Sequence, residues 1–483
     1  MSIDTSDFLA AAKRGDTDRV VDLLTNGADP NATGNEGRTA LIQAITNNHT
    51  EVVRLLLANG ADPNVPDSDG WTSLFVATQK RNVEIVRLLL DSRADPNLQD
   101  CDGSTALVVS TSLDEMELIG LLLTNGADPN VRNHYGKIPL LMAAKNGRVE
   151  VVGLLLAHGA DPNVRDEKGN TALCCSIPIG HVETISTLLA NGADPNLPNN
   201  DGHTALAVAE QTSLLEVIRL LLNNKADPNV QNKAGRTVLY SASYQGKTSI
   251  VRLLLSHGAN PNLQDNKGNT ALTRATQFDH VDIIQLLLHN GADPNLQNDS
   301  GISALLFAAS DGNTGTVGLL LDNRSDPDIQ SNKGYTALRL ATQEGHEDVV
   351  SVLLQHRADP NVPDKEGWTA LFEAAWNGLE EIAALLLTNG ADPNVQDNTG
   401  STAMIEAART DYTEVIEVLL AHRADKDARD KKGRTALNWA IQHDHYAVVN
   451  TLLHAHAEHF NHYSDIPRAV VGHVVLDTMC SPE

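Results

Sequence analysis

Aromatic and basic residues are scarce in this chain. Phe, Trp and Tyr make up 4% of the 483 residues, and 36 Lys and Arg stand against 62 Asp and Glu, for a formal net charge of −26. Nucleic acids and anionic membrane surfaces are bound through clustered positive charge. We therefore expect neither class of partner.

Cysteine and long apolar segments are also scarce. Cys101, Cys174, Cys175 and Cys480 form no CxxC pair and are too few for a disulfide scaffold. No run of about 18 apolar residues is present, and the opening MSIDTSDFLAAAKRGD carries charge where a signal peptide would be apolar. These absences predict a cytoplasmic protein with reduced, mostly buried cysteines, a nuclear location being the alternative.

A 33-residue period runs through the chain. The phrase LLLTNGADPNV stands at residues 121–131 and again at 385–395, a separation of 264, or eight times 33. Glycines keep the same interval from Gly37 to Gly433 without an insertion. Self-similarity at one fixed period is typical of an array of stacked units rather than of separate domains.

One period, residues 364–396, shows how each unit is built. Thr369 precedes an apolar stretch and is placed to cap a first helix, which Gly378 interrupts. A second, more apolar helix follows. It is expected to end at Gly390, which tolerates the left-handed conformation, and Pro393 prevents it from resuming.

Two short helices and a turn, written G-x-TALxxA and then LLLxxGADPN, resemble the ankyrin repeat. The chain departs from that family's T-P-L-H-x-A pattern, since the proline place holds Pro only at Pro139 and the histidine place never holds His. The resemblance implies an all-α repeat solenoid of helix-turn-helix units with β-turn or hairpin fingers, curved into a superhelix. It divides the chain into an N-terminal capping repeat (4–33), thirteen repeats (34–464) and a tail (465–483).

Some repeats depart from the common pattern. Pro178 falls inside an expected first helix, where it removes one hydrogen bond and predicts a kink. The helix-ending glycine is replaced in five repeats by a basic residue, at a cost of about 1 kcal/mol each in the left-handed conformation. These residues are Arg93, Lys225, Arg324, Arg357 and Arg423.

Sequence motifs of catalysis are missing. GKT in QGKTS (245–249) lacks the first glycine of a phosphate-binding loop, and GHEDVV (345–350) lacks the second histidine of a zinc protease. We therefore predict no enzymatic activity and no cofactor. His456, His459 and His462 would share a face if their helix continued, so they are either a metal site or, as we favour, part of a polar closing cap.

In proteins similar to this one, the fingers and first helices line a groove that binds other proteins. The rings that could mark such a surface are concentrated late, with 13 of the 17 Phe, Trp and Tyr at or after Tyr240. We predict that a monomeric scaffold binds a basic and apolar protein segment there. The candidate partner-binding residues are Tyr244, Phe278, Asp311, Tyr335, Glu344, Trp368 and Trp376.

Two further hypotheses accompany this one. The chain could instead be the substrate-recruiting adaptor of a ubiquitin ligase or phosphatase, with residues 465–483 docking the catalytic subunit. Separately, Asn130, Asn163 and Asn394 resemble asparagines that are hydroxylated in ankyrin repeats. The alternative for these asparagines is a side chain that hydrogen-bonds its own backbone in a turn.

Overall fold

The computed structural model describes residues 5–458, which fall into two compact units that meet in sequence at Lys233 and Ala234. Both units consist of consecutive pairs of short helices. In unit 1 these are α1 Thr5–Arg14, α2 Thr17–Thr25, α3 Ala40–Thr46, α4 Thr50–Ala58, α5 Ser73–Gln79, α6 Val83–Asp91, α7 Ala106–Leu113, α8 Met116–Thr124, α9 Pro139–Lys145, α10 Val149–Ala157, α11 Ala172–Ser176, α12 Val182–Ala190, α13 Ala205–Thr212 and α14 Leu215–Asn223.

Unit 2 continues the alternation of first and second helices. Its helices are α15 Val238–Tyr244, α16 Thr248–Ser256, α17 Ala271–Gln277, α18 Val281–His289, α19 Ala304–Ser310, α20 Thr314–Asp322, α21 Ala337–Gln343, α22 Glu347–Gln355, α23 Ala370–Asn377, α24 Glu380–Thr388, α25 Ala403–Thr410, α26 Thr413–Ala421, α27 Ala436–Gln442 and α28 Tyr446–Glu458. The sequence prediction of helix-turn-helix repeats is confirmed.

Residues on which two of the predictions depend lie outside the described residues. His459, His462 and the whole of the tail at 465–483 are among them, and His456 belongs to α28 without a described side chain. The metal hypothesis and the docking tail of the adaptor hypothesis therefore stay predictions.

Each unit has its core between two helix layers. Within unit 2, α23 packs between α21 and α25, while α24 packs between α22 and α26. The first helices bury small residues such as Ala374 together with larger ones such as Leu371, and the second helices bury residues such as Ile382 and Leu386. Each helix pair therefore buries its apolar surface against its neighbours, as a repeat array requires.

The first helices begin at a capping residue, as the sequence predicts. The Thr39 hydroxyl, for example, accepts a hydrogen bond from the backbone N–H of Ile42 at 3.2 Å. Helix α9 begins instead with Pro139, whose missing N–H costs nothing at the first helical position. Thr369 occupies the capping position of α23, but its side chain accepts no such bond.

The turns between repeats form fingers closed by backbone hydrogen bonds. Gly70 N–H donates to the Asp67 carbonyl at 3.0 Å and closes a β-turn over residues 67–70. Asp67 N–H donates to the Trp71 carbonyl, also at 3.0 Å, and so pairs the two ends of the finger. The next finger is attached by Cys101 N–H, which donates to the Asp69 carbonyl at 3.0 Å. Within residues 5–458 the strand-like pairing is limited to two isolated bridges, Thr33 with Thr39 and Arg165 with Thr171.

Two local predictions have different outcomes. The five basic residues that replace a helix-ending glycine all adopt the left-handed conformation, with φ between 64° and 69°. The kink predicted at Pro178 is wrong, because α11 ends at Ser176 and the chain continues as a turn. Pro178 has no N–H to donate to the Cys174 carbonyl, so the helix stops early instead of bending.

Candidate functional site

Aromatic side chains are exposed where the first helices of unit 2 end. We call the last residues of a first helix and the residue after it the floor. Tyr244 ends α15, Phe278 follows α17 and Trp376 lies in the last turn of α23, and the exposed fractions of these residues are 48%, 45% and 37%. Exposed apolar side chains that lie together mark interaction surfaces more often than isolated ones do.

The structure brings the predicted rings together in two groups. Tyr244 and Phe278 pack edge to face, with ring centroids 4.8 Å apart. Trp368 lies with its ring centroid 5.9 Å from that of Trp376 and 5.9 Å from that of Phe372, which is only 1% exposed. We call Trp368, Phe372 and Trp376 the tryptophan cluster. Phe372 is buried in the core, and Trp376 is exposed at the surface.

Arginines that the sequence reasoning missed support these rings. Arg339, 6% exposed, lies 3.9 Å from the centroid of the Tyr335 ring and within 3.3 Å of the Asp364 carboxylate. Arg409 lies 4.6 Å from the Trp376 centroid and pairs with Glu406 at 2.7 Å. Cations placed over aromatic faces stabilise the ring orientation.

A buried carboxylate compensates each supporting charge. Arg339 Nη2 lies 3.0 Å from Glu373 Oε2, although that oxygen accepts no aligned hydrogen bond. Burial raises the pKa of Glu373, and the positive charge of Arg339 only partly opposes this rise. The nearby carboxylate of Glu344 adds to it. The positive charge beneath the rings is thus largely neutralised from within.

The predicted acidic residues are exposed at the ends of first helices. Asp311 and Glu344 follow α19 and α21, and Glu344 accepts a hydrogen bond from the Gln343 amide at 3.1 Å. Glu366 is exposed at the finger of the same repeat as Trp368. The exposed charge near the tryptophan cluster is mixed, because Lys365 is exposed beside Glu366 and Lys333 lies 5.7 Å from the centroid of the Tyr335 ring.

The match to a family model decides what these helix pairs are. A model described as ankyrin repeats (3 copies) matches residues 8–100, 92–166, 154–232, 209–298, 305–397 and 384–463. This chain belongs to the ankyrin repeat family. A comparison with curated proteins finds no match. Ankyrin repeats are in general non-enzymatic modules of protein–protein interaction, which agrees with the resemblance seen in the sequence.

The asparagines of the repeated GADPN phrase join one ankyrin repeat to the next. Asn130 donates from Nδ2 to the Gly159 carbonyl at 3.0 Å and accepts at Oδ1 from the Asp161 N–H at 2.8 Å. Asn163 does the same with the following repeat, and Asn394 accepts from Asp425 N–H at 2.7 Å. The interpretation that these side chains bond their own turn is wrong, because their partners lie 29 and 31 residues away.

Hydroxylation of Asn130, Asn163 and Asn394 stays a prediction. The reaction would need access to asparagines that the ankyrin array already uses as connectors. Intact-mass measurement of protein from its native cells, with a series of single-oxygen additions, would support it.

The three cysteines among the described residues differ in exposure. Cys174 is buried and Cys175 half-buried, but Cys101 is exposed at a finger, so the prediction of mostly buried cysteines fails at that position. Among the described residues no three His, Cys, Asp or Glu side chains form a metal-binding group. None of the helices in residues 5–458 is both long and apolar enough to cross a membrane.

Proposed function

We propose that this ankyrin repeat protein is a non-enzymatic scaffold that binds a partner protein segment over the floor and fingers of unit 2. The observation that supports this most is Trp376, whose ring is exposed on a cluster anchored by buried Phe372. Energetically dominant contacts in interfaces are enriched in Trp and Tyr held in well-packed surroundings. Trp368, 5.9 Å from Trp376 between ring centroids, and Tyr335 of the preceding repeat are half-buried and would extend the surface.

The charges around the tryptophan cluster favour a basic and apolar segment. Asp311, Glu344 and Glu366 are exposed, whereas the carboxylates of Glu373 and Glu406 are buried against arginines. Apolar side chains of the partner would cover the rings, and Lys or Arg beside them would approach the exposed carboxylates. Such rim charges act mainly on selectivity and association rate.

The test recovers partners by pull-down with the unaltered chain and measures the affinity of each partner for a Trp368→Ala, Trp376→Ala double variant. We expect a loss of about 30-fold or more, corresponding to a hot spot of about 2 kcal/mol. Tyr446→Ala is the matched control, because Tyr446 is 76% exposed in the same unit but begins α28, away from the floor. Full affinity of the double variant for every partner would contradict the proposal, provided that circular dichroism shows intact helices.

A further inference from the structure

The first floor aromatics of unit 2 lie in a stretch with an unusual charge. Residues 234–264 contain three basic residues, Arg236, Lys247 and Arg252, and no acidic residue, although acids outnumber bases by 62 to 36 in the whole chain. In this stretch even the turn aspartate of the repeated phrase is replaced, by Asn260. The stretch is therefore a basic island in an acidic protein.

A cleft of about 460 Å³ opens on this island. Its aromatic lining is Tyr240, Tyr244 and Phe278, and its basic lining is Arg236 and Arg274. The two guanidinium carbons lie 5.5 and 5.6 Å from the centroid of the Tyr240 ring. The cleft thus combines an apolar wall with two positive charges.

Arg274 is held in place by its neighbours without using all of its donors. Its Nε–H donates to the Tyr240 hydroxyl at 2.6 Å, and Nη1 donates to the Gln277 amide oxygen at 2.5 Å. Nη2 lies 4.0 Å from the Asp265 carboxylate, beyond hydrogen-bond distance. Because a guanidinium carries five N–H groups, Arg274 retains donors for a ligand.

The acids nearest the cleft are Asp265, which is ion-paired with Arg274 at 4.0 Å, and Asp279, and both also accept hydrogen bonds from other groups. Asp265 lies buried beneath Tyr240, whose hydroxyl donates to it at 2.8 Å, and it also accepts the backbone N–H groups of Lys267 and Asn269. Asp279, next to Phe278, accepts a hydrogen bond from the Thr316 hydroxyl at 2.7 Å. The mouth of the cleft is therefore dominated by arginine and aromatic groups.

We propose that this cleft binds an acidic side chain of a partner protein, Asp or Glu, next to an apolar residue. The carboxylate would accept hydrogen bonds from Arg274, and the apolar residue would cover the edge-to-face pair of Tyr244 and Phe278. The inference deepens the proposed function, on which it rests. It assigns this cleft the opposite charge preference to the one proposed for the tryptophan cluster.

Selection of random twelve-residue peptides displayed on phage, against the full chain, tests this. The affinity of each selected clone is then measured for the Arg274→Gln, Tyr244→Ala and Trp376→Ala variants. We expect a class of clones enriched in Asp or Glu beside Leu, Met or aromatic residues. These clones would weaken about tenfold or more on Arg274→Gln, the loss typical of one charged hydrogen bond, and would weaken on Tyr244→Ala as well.

The controls separate charge from folding. Arg252→Gln removes an exposed arginine of the same island, on α16 rather than in the cleft, and should leave those clones unaffected. Arg274→Lys keeps the charge without the guanidinium fork and should restore part of the affinity. Because Tyr244 is a surface ring, Tyr244→Ala tests the cleft even if Arg274→Gln is found to unfold.

The outcomes distinguish this inference from the proposed function. Cleft-dependent clones without enrichment in acids would overturn the inference. Clones that depend on Trp376 alone would overturn it too, while leaving the proposed function standing. A set of clones that none of the three variants weakens would overturn both. If replacing the acidic residue by phosphoserine tightens binding more than tenfold, the assignment to a carboxylate is wrong.

Discussion

We call the asparagines of the GADPN phrase, which join one repeat to the next, the connectors. They predict that a repeat with another residue at this position is joined less tightly. Asp328 stands where the other repeats described above carry asparagine, and its Oδ1 accepts the Asp359 N–H at 2.8 Å as an asparagine would. An ionised carboxylate has no hydrogen to donate, so the second bond of the connector is lost. In the preceding repeat, Asn295 makes that bond from Nδ2 to the Arg324 carbonyl at 3.2 Å.

The substitution Asp328→Asn restores this donor. One neutral hydrogen bond contributes about 0.5–1.5 kcal/mol net, so the free energy of unfolding should rise by about 1 kcal/mol. The mirror substitution Asn295→Asp should lower it by a similar amount. Urea unfolding followed by circular dichroism at pH 7 measures both.

The effect of Asp328→Asn should depend on pH. Burial, foremost, raises the pKa of Asp328 above its ordinary value of 3.8, and the hydrogen bond from Asp359 N–H only partly opposes this. The folded protein therefore binds this proton more tightly than the unfolded chain. The ionised aspartate therefore lowers the free energy of unfolding fully at pH values above the raised pKa. This loss shrinks as the pH falls and vanishes below about pH 3.8.

The gain from Asp328→Asn should thus be smaller at pH 4 than at pH 7. No gain at pH 7, or a gain that grows on acidification, would refute the reasoning about the connectors. A gain that Asn295→Asp does not mirror would refute it as well.

Three other predictions concern unit 1. Gly147→Ala should lower the free energy of unfolding by about 1–2 kcal/mol, because Gly147 has a left-handed φ of 69°. The added Cβ would also overlap the His181 ring, which should increase the loss. Urea unfolding should show a smaller loss for Gly159→Ala, because nothing lies within 4 Å of a Cβ added there. Hydrogen exchange should be faster in residues 171–190 than in 369–388, since α11 has five residues and α23 eight, and Pro178→Ala should slow it; equal exchange in the two windows would contradict the weakness assigned to Pro178. In a Cys480→Ser background, iodoacetamide should label exposed Cys101 well before Cys175, because burial raises the pKa of Cys175 to about 12; labelling of Cys175 at the rate of Cys101 would show that burial to be wrong.

The helix pairs could be predicted because their determinants are local. Gly378 and Gly390 mark the ends of α23 and α24, where both adopt positive φ, and the apolar spacing between them is helical. Pro178 shows the limit of local reasoning. The sequence predicts the lost hydrogen bond, but whether the helix bends or stops depends on how the next turn packs.

The connectors and the buried charges could not be predicted in the same way. Asn130 bonds to partners 29 and 31 residues ahead, in the next repeat, so the sequence of one turn does not reveal them. Arg339 did leave a signal, since equivalent positions hold uncharged residues such as Phe372 and Ile405. Its partners Asp364 and Glu373 belong to the next repeat, so the pairing needed the structure.

The central claim, that partner segments bind over the floor of unit 2, is tested most directly by site-specific photo-crosslinking. A benzophenone amino acid would replace Trp376 in one variant and Glu381, exposed on α24, in another. A partner that binds on the floor should crosslink at position 376 and not at position 381. Equal yields at the two positions, or crosslinks only at 381, would contradict the claim.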